Sequence, residues 1–405
     1  MDRYRKINLP FSAWYGDYKI PIRFPRNWRI HVCGPKSQRE SKKEEISDSF
    51  ESPHGTEHLR ELAKGKRDAA IIVDDIARPT PADRVLPFVI GELERGGIEK
   101  SHIKIIIGCG CHRPLTLLDM RKKLGEKIAT EMYVANHDPF NNLTHLGETS
   151  RGTPTYINTD VLKAELKVGI GCVIPHDLAG FGGGAKIIVP GVAGIETIAH
   201  NHSQLKQEVG AKLGAIEENA IRLDMEEATE RVGLDFIVNV VINSERRISG
   251  VFTGHFVKAH RAGVELCHEM YKTSLPDTFH VLLANAYPLD VYLRQSGKAL
   301  WAAKKMAEDG IAILSTAANE GLGTHYLVER ARSKAQFDML GKHVERKMII
   351  YSRNVGIRQL DEIRSKWHTK DIEVMGSWND VVRRVRTMHR KELNVAVLPC
   401  GSIQF

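Results

Sequence analysis

Residues Leu166–His202 read LKVGIGCVIPHDLAGFGGGAKIIVPGVAGIETIAHNH. The first eight, Leu166 to Val173, are apolar apart from Lys167 and read as a buried strand. Pro175-His176 follows it. Gly180, Gly182, Gly183 and Gly184 then let backbone approach a ligand with no Cβ in the way. Lys186 sits just past the glycines, ahead of the apolar run Ile187-Ile188-Val189. Pro190-Gly191 breaks the chain, and Gly194 to His202 reads as a short helix. A buried strand that ends in polar, chemically able residues is the repeating unit of an open α/β sheet.

Known phosphate loops fit this stretch poorly. A Walker loop needs Gly-Lys-Ser/Thr, whereas Ala185 precedes Lys186 and Ile187 follows it. A dinucleotide fingerprint can be traced from Gly180 through Gly182 to Ala185, but it has to open a helix. The Ile-Ile-Val run and Pro190-Gly191 argue against one.

The same rhythm extends outward on both sides. Ala69 to Val73 is a buried strand ending in Asp74-Asp75-Ile-Ala-Arg78-Pro-Thr-Pro81. Thr80 is placed to cap the next helix, with Pro81 at its first position. Ile103 to Ile107 is a strand ending in Gly-Cys-Gly-Cys-His112-Arg-Pro. Thr116 and Asp119 form a capping box for the helix after it. Met132 to Ala135 ends in Asn136-His137-Asp138-Pro139. Phe236 to Ile242 is a later strand and Val257 to Tyr271 a helix. A second α/β unit starts near Asp277, with strands at His280–Ala284, Ile311–Ser315, Met348–Tyr351 and Asn394–Leu398. Toward the N-terminus, residues 14–32 read as a small β unit and residues 35–52 as a loop or connector. Ligands of open α/β sheets bind beyond the carboxyl ends of the strands, which assigns Asp75, Arg78, His112 and His176 to one crevice.

Composition narrows the function. The chain has 405 residues, 42% hydrophobic and 27% charged, the balance of a soluble globular protein with room for two or three domains. No run approaches the length of a membrane span, and MDRYRKINLPFSAWYGDYK lacks the apolar core of a signal peptide. Six cysteines do not make a disulfide framework in so long a chain, and a reducing cytoplasm is the simplest location. The net charge of +8 suits either nucleic acid or an anionic small substrate. The densest basic cluster is Arg383, Arg384, Arg386, Arg390 and Lys391. It lies on an expected helix with no nucleic-acid-binding signature beside it, so it reads as a solvated face.

His112 and His176 each follow a buried strand, where an imidazole can act as acid or base near neutral pH. Two such histidines can flank one substrate carbon from opposite faces, which suits a reaction without stereochemical preference. Lys186 can bind phosphate, form a Schiff base or hold a cofactor covalently. His200 and His202 can ligate a metal, but two apart on a helix they point in different directions. Arg78 and Lys298 are natural carboxylate partners. Cys109 and Cys111 are too close, with no second pair, to make a zinc site, and read as small residues beside a tight backbone.

Taken in order, DDIARPTP at Asp74–Pro81, the GCHRP run around Cys111, NHDP at Asn136, PHDLAGFGGGAKIIVPG at Pro175, the Asn201-His202 pair and RQSGKAL at Arg294 resemble the nickel-dependent lactate racemase family of 2-hydroxyacid racemases and epimerases. The resemblance runs from about residue 69 to 310. It implies two α/β domains with the active site in the crevice between them: residues 1–272 a cofactor-binding and catalytic domain, 273–393 a second domain, and 394–405 a strand that can return to the first. It implies a nickel pincer nucleotide tethered to Lys186, with Asp75, Arg78, Gly183 and Gly184 as further cofactor contacts. His202 falls on the nickel ligand, with His200 still open. His112 and His176 fall on the acid/base pair, and Arg78, Gln295 and Lys298 on substrate contacts. The implied reaction is inversion at C2 of a 2-hydroxycarboxylate by reversible hydride transfer, in a cell that also supplies cofactor-synthesis proteins. Arg294 stands where an aromatic is common in lactate enzymes, which favours a dicarboxylate or sugar acid over lactate. The competing readings are an NAD-dependent 2-hydroxyacid dehydrogenase and a non-catalytic anion-binding protein. Neither nucleic acid nor membrane is expected as a partner.

Overall fold

The computed structural model describes residues 4–205, 210–330, 347–366, 371–389 and 392–405. The chain forms two compact α/β units. One holds residues 38–269 and 324–330. The other holds residues 1–37, 270–323 and 331–405. Each is built on a six-stranded sheet.

In the first unit the strands lie in the order Ile248–Gly254, Phe236–Ile242, Leu166–Cys172, Ala69–Asp74, Ile103–Gly108, Tyr133–Asn136. All neighbours run parallel except the first pair. The central strands are buried along nearly their whole length, as parallel strands covered on both faces must be. From Ala69–Asp74 the chain steps outward through Ile103–Gly108 to Tyr133–Asn136. It then returns to the opposite side of Ala69–Asp74 with Leu166–Cys172. The order therefore reverses between Ala69–Asp74 and Leu166–Cys172, and their carboxyl ends open the crevice where such sheets bind ligands.

Local signals account for most of these elements. Thr116 accepts a hydrogen bond from Asp119 N at 3.2 Å, and the Asp119 carboxylate accepts one from Thr116 N at 3.0 Å, closing the expected capping box. Thr80 departs from expectation. The helix Ala82–Arg95 starts after Pro81 with no side-chain cap, and the Thr80 hydroxyl donates to Asp74 Oδ2 at 2.6 Å instead. Residues 35–52 are not simply a connector. Lys43–Glu51 is a helix whose Ile46 and Phe50, four apart, point inward, and Phe50 stacks on Phe236 at 6.4 Å. Two apolar positions in a charged stretch were too few to show as a stripe. A hairpin of Leu143–Glu148 with Pro154–Asn158 is a further element that the apolar pattern does not reveal.

The second unit's sheet is parallel throughout, in the order Ile372–Met375, Lys347–Tyr351, Ile311–Ser315, Val281–Asn285, Leu393–Leu398, Trp28–Val32. Alternate residues feed two cores. Leu282, Ala284, Ala312 and Leu314 join one, and Val281, Leu283, Ile311 and Ile313 the other. The antiparallel hairpin Tyr4–Phe11 and Tyr18–Pro25 adds Leu9, Ile22 and Phe24 to the second core beside Trp378.

This corrects the expected domain limits. The sequence reading assigns residues 1–272 to the first domain and lets the last strand return there. Residues 4–37 instead belong to the second unit, because Trp28–Val32 pairs with Leu393–Leu398 and the hairpin buries its apolar side chains on that sheet. Each large side chain so buried contributes roughly 1.5–3 kcal/mol. Of the basic cluster, Arg383 pairs with Asp380 and Arg384 with Glu373, while Arg390 and Lys391 lie outside the described residues. No helix among the described residues is long and apolar enough to cross a membrane.

The loop between the hairpin strands is anchored by Asp290, whose oxygens accept Ser12 N at 2.7 Å and Ala13 N at 3.0 Å. Asp290→Ala leaves both buried amides without that acceptor. It should lower stability by about 2–6 kcal/mol, at roughly 1–3 kcal/mol for each unsatisfied group, in urea denaturation. A loss under about 1 kcal/mol would mean that water replaces the carboxylate.

Candidate active site

At the carboxyl end of Ala69–Asp74, adjacent aspartates have their carboxyl pKa values moved in opposite directions. Asp74 is buried, which raises its carboxyl pKa against the opposing pull of Lys123. Burial also acts to raise Asp75, but the charge and hydrogen bond of His112, with Arg78 and Lys123, outweigh it and hold Asp75 below the ordinary carboxylate value. Lys123 is fully buried. Its ammonium lies 2.6 Å from Asp74 Oδ1 and donates to the carbonyls of Asp75 at 3.0 Å and Arg78 at 3.1 Å. Asp75 Oδ1 accepts Ala77 N at 2.9 Å, which closes the turn locally.

Asp75 Oδ2 lies 2.6 Å from His112 Nδ1. The carboxylate only accepts, so the imidazole proton belongs on Nδ1 and Nε2 carries the lone pair. His176 is set the other way. Its Nδ1 accepts from Leu178 N at 3.3 Å and Ala179 N at 3.2 Å, which assigns the proton of the neutral ring to Nε2. Asp177 Oδ1, 3.6 Å from the same nitrogen, is too far to hydrogen-bond. At Nε2, His112 thus offers a hydrogen-bond acceptor and His176 a hydrogen-bond donor.

The turn that carries His112 rests on the Pro190-Gly191 break. Gly110, at φ +52°, donates to Gly191 O at 3.0 Å, and a Cβ at Gly110 would meet Pro190 O at 3.1 Å. Cys111 Sγ lies 3.3 Å from His325 Nε2, and the His112 and His325 rings are 5.6 Å apart. Burial pushes the Cys111 thiol up to about 12; Asp75 adds to the rise, while Arg78 and Lys186 oppose it. The sequence reading missed His325, since nothing but two nearby glycines marks it.

The glycine run owes its composition to packing. A Cβ at Gly183 would lie 2.6 Å from Asn239 Oδ1, and one at Gly184 would lie 2.9 Å from the His260 ring. Gly184 N donates to Asn239 Oδ1 at 2.8 Å. Arg222, fully buried, donates to Gly183 O at 3.0 Å and to the carbonyls of Ala179 and Phe181. Burial lowers the Arg222 pKa to about 10. His260 Nε2 lies 2.8 Å from Gly182 O, and burial, with Arg222 and Arg261 nearby, keeps this histidine neutral. Arg222, Asn239 and His260 are the scaffold of the loop, and the sequence reading names none of them. Lys186 follows on the 3₁₀ turn Gly184–Ile187 and is buried. No α-helix opens at these glycines, so the dinucleotide fingerprint lacks the helix N-terminus it requires.

Helix Ile195–Ala199 passes into a π-helical turn at His200–Gln204, a feature frequent at functional sites. His200 Nδ1 is 2.8 Å from the Thr153 hydroxyl, in a network where Thr149, Thr153 and Asn201 all hydrogen-bond Asp224. His202 lies half-buried two residues on. His137 is structural: its Nε2 is 2.9 Å from Ala193 O, and burial takes its pKa down to about 4. Arg294 and Gln295 lie on Leu293–Ser296, and Lys298 on the following 3₁₀ segment Gly297–Lys305. All three belong to the second unit, after its strand Val281–Asn285.

The profile of the lactate racemase N-terminal domain matches residues 15–214. The lactate racemase of Thermoanaerobacterium thermosaccharolyticum is 35% identical over 315 residues, covering 77% of this chain and 74% of that one. The lactate racemase of Lactiplantibacillus plantarum is 32% identical over 290 residues, covering 70% and 68%. The structure of the lactate racemase apoprotein from T. thermosaccharolyticum superposes with a TM-score of 0.80 at 26% identity over 99% of both chains. A Thermotoga maritima protein shares the fold, with a TM-score of 0.67 at 17% identity over 89% of this chain and 98% of that one.

The buried ion pair beneath the site predicts a non-additive mutational pattern. Lys123→Met strands Asp74 and should cost about 3–5 kcal/mol in denaturant unfolding. Adding Asp74→Asn should recover at least half of that. A double variant as unstable as the single one would show that the ammonium matters through Asp75 O and Arg78 O alone.

Proposed function

The chain belongs to the lactate racemase family, and on that premise we propose that it is a nickel-dependent racemase or epimerase acting at C2 of a 2-hydroxycarboxylate. The observation that carries the reading is the pair of histidines set in opposite tautomers. A dehydrogenase working on one face needs a single acid–base group, whereas inversion needs one on each side of the substrate carbon.

The residues present fit the cofactor that the family resemblance implies, a nickel pincer nucleotide. Lys186 would carry it as a thioamide, which exchanges a costly buried ammonium for a neutral group. His202 would supply one imidazole to nickel while the cofactor supplies the soft sulfur donors, a combination suited to Ni(II). His200, engaged with Thr153, is the weaker candidate. When bound, the nucleotide offers a carbon that accepts hydride and returns it. Asp75 hydrogen-bonds His112 and is held ionised in part by the charge of Arg78; both are assigned to cofactor contact, Arg78 also to substrate. Gly183 and Gly184 contribute by shaping the loop that presents Lys186.

The C2 hydrogen of a 2-hydroxy acid is too weakly acidic for a side chain to remove as a proton. The chain's own residues therefore manage the hydroxyl proton and the carboxylate. His112 Nε2 takes the hydroxyl proton as the substrate is oxidised to the planar 2-keto acid. Asp75 stabilises the resulting imidazolium, as a buried carboxylate does for a general-base histidine. When reduction comes from the other face, the alkoxide takes its proton from His176 Nε2 of a ring that solvent has first protonated, since a neutral imidazole is too weak an acid to give one up. The reverse direction starts from the opposite protonation states, with His112 carrying the added proton and His176 Nε2 free. Arg78 and Lys298 would hold the carboxylate, Gln295 the hydroxyl, and Arg294 a second anionic or hydroxyl-rich group in a substrate longer than lactate.

Protein produced together with cofactor-synthesis proteins should show an added mass that Lys186→Ala lacks, with nickel near one per chain. His202→Ala should keep the adduct and hold nickel at least about tenfold more weakly. An unmodified mass in active, nickel-loaded protein would remove Lys186 as the tether.

His112→Ala and His176→Ala should each slow racemisation by about 10²–10⁴-fold while retaining the adduct, the usual contribution of general acid–base catalysis. Single-turnover assays starting from each enantiomer check this. Near-normal turnover in either variant would make that histidine structural and leave inversion to one face.

A further inference from the structure

Cys111, His112 and His325 place a thiol and two imidazoles together, with one ligand atom from each inside a 4.8 Å span. We propose that they form a second transition-metal site, for a zinc-type divalent ion, which silences the acid–base chemistry of His112 when filled. The site shares no ligand with His202.

Its geometry is close to what such an ion requires. Bonds of about 2.3 Å to sulfur and about 2.1 Å to nitrogen at a tetrahedral angle separate the two donors by about 3.6 Å. Cys111 Sγ and His325 Nε2 are already 3.3 Å apart. Closing the remaining separations within 4.8 Å needs side-chain rotation of about 1 Å. The backbone fixes the relation of these two residues, because Tyr326 N donates to Cys111 O at 2.8 Å. The segment Thr324–Arg330 is seated on the same unit by further contacts: the Tyr326 ring meets Phe140 edge-on at 5.2 Å, and Arg330 lies over Phe140 at 4.7 Å.

Asp75 supplies the outer support that metal-binding histidines use. With Nδ1 held by the carboxylate, His112 would bind through Nε2, in a carboxylate–histidine–metal arrangement. A set of one thiolate and two imidazoles leaves a fourth position for solvent and favours zinc over harder ions. On binding, the Cys111 S–H bond breaks, its proton passes to solvent and the sulfur pair forms the bond to metal. Nothing is oxidised or reduced. The same Nε2 lone pair cannot then accept a proton from substrate, so occupancy and turnover exclude each other. Metal capture stands on the cluster itself; the inhibition rests on His112 acting as a base.

The test begins with full-length, cofactor-free, metal-free protein titrated with Co²⁺, whose thiolate complexes show a near-ultraviolet charge-transfer band. One equivalent should produce the band, and Zn²⁺ should bleach it by displacement. Cys111→Ser should abolish it. His325→Ala, at a half-buried position, should weaken cobalt binding at least about tenfold, and His202→Ala should leave band and affinity unchanged. Absence of the band in the wild type, its survival in Cys111→Ser, or its loss in His202→Ala would each overturn the site. With loaded enzyme, Zn²⁺ should inhibit the wild type and inhibit His325→Ala at least about tenfold less. Cobalt binding without zinc inhibition would overturn the claim on His112 as a base and leave the cobalt result standing on its own.

Discussion

A buried ammonium with no access to solvent underlies the arrangement of the site. Lys123 balances Asp74 and donates to the carbonyls of Asp75 and Arg78, so a charge, a strand end and a turn are joined at one nitrogen. Such a group is expensive to bury, and it is tolerated because a carboxylate and two carbonyls surround it. The consequence reaches the surface of the crevice. With the Asp75 backbone held from below, its carboxylate is presented to His112 in one orientation and stays ionised. Proton position on the imidazole then follows from the strand end.

The loop on the other side of the sheet reversal is held by a different device. Arg222 gathers the carbonyls of Ala179, Phe181 and Gly183, Asn239 takes the amide of Gly184, and neutral His260 donates to Gly182 O. The loop's own backbone thereby satisfies buried polar side chains that arrive from distant parts of the chain. Glycine is required where those side chains press against it. Lys186 follows directly on this turn, so its position is set by the packing of Arg222, Asn239 and His260 against the loop.

Both devices serve a pair of histidines that differ only in which ring nitrogen is committed to protein. A carboxylate partner makes His112 a proton acceptor at Nε2, and two backbone amides make His176 a donor there. His112 also lies near Cys111 and His325, so the ring proposed to move a proton is the ring proposed to bind the second metal.

The sequence alone determined the α/β class, the central buried strands and the order of the polar residues at their ends. These are local properties: a continuous apolar run makes a buried strand wherever it lies, and Phe236–Ile242 and Ile311–Ser315 have the limits read from their residues. The motif order also pointed to the family before any partner of a side chain was visible. What remained hidden was most of the pairing between residues far apart in the chain. The pairing of Trp28–Val32 with Leu393–Leu398 moves the N-terminal residues into the second unit. Arg222, Asn239 and His260 become loop supports, and His325 comes within reach of Cys111. Only the tertiary structure decides these, because strand order sets which side chains meet, and no local period in the sequence encodes strand order.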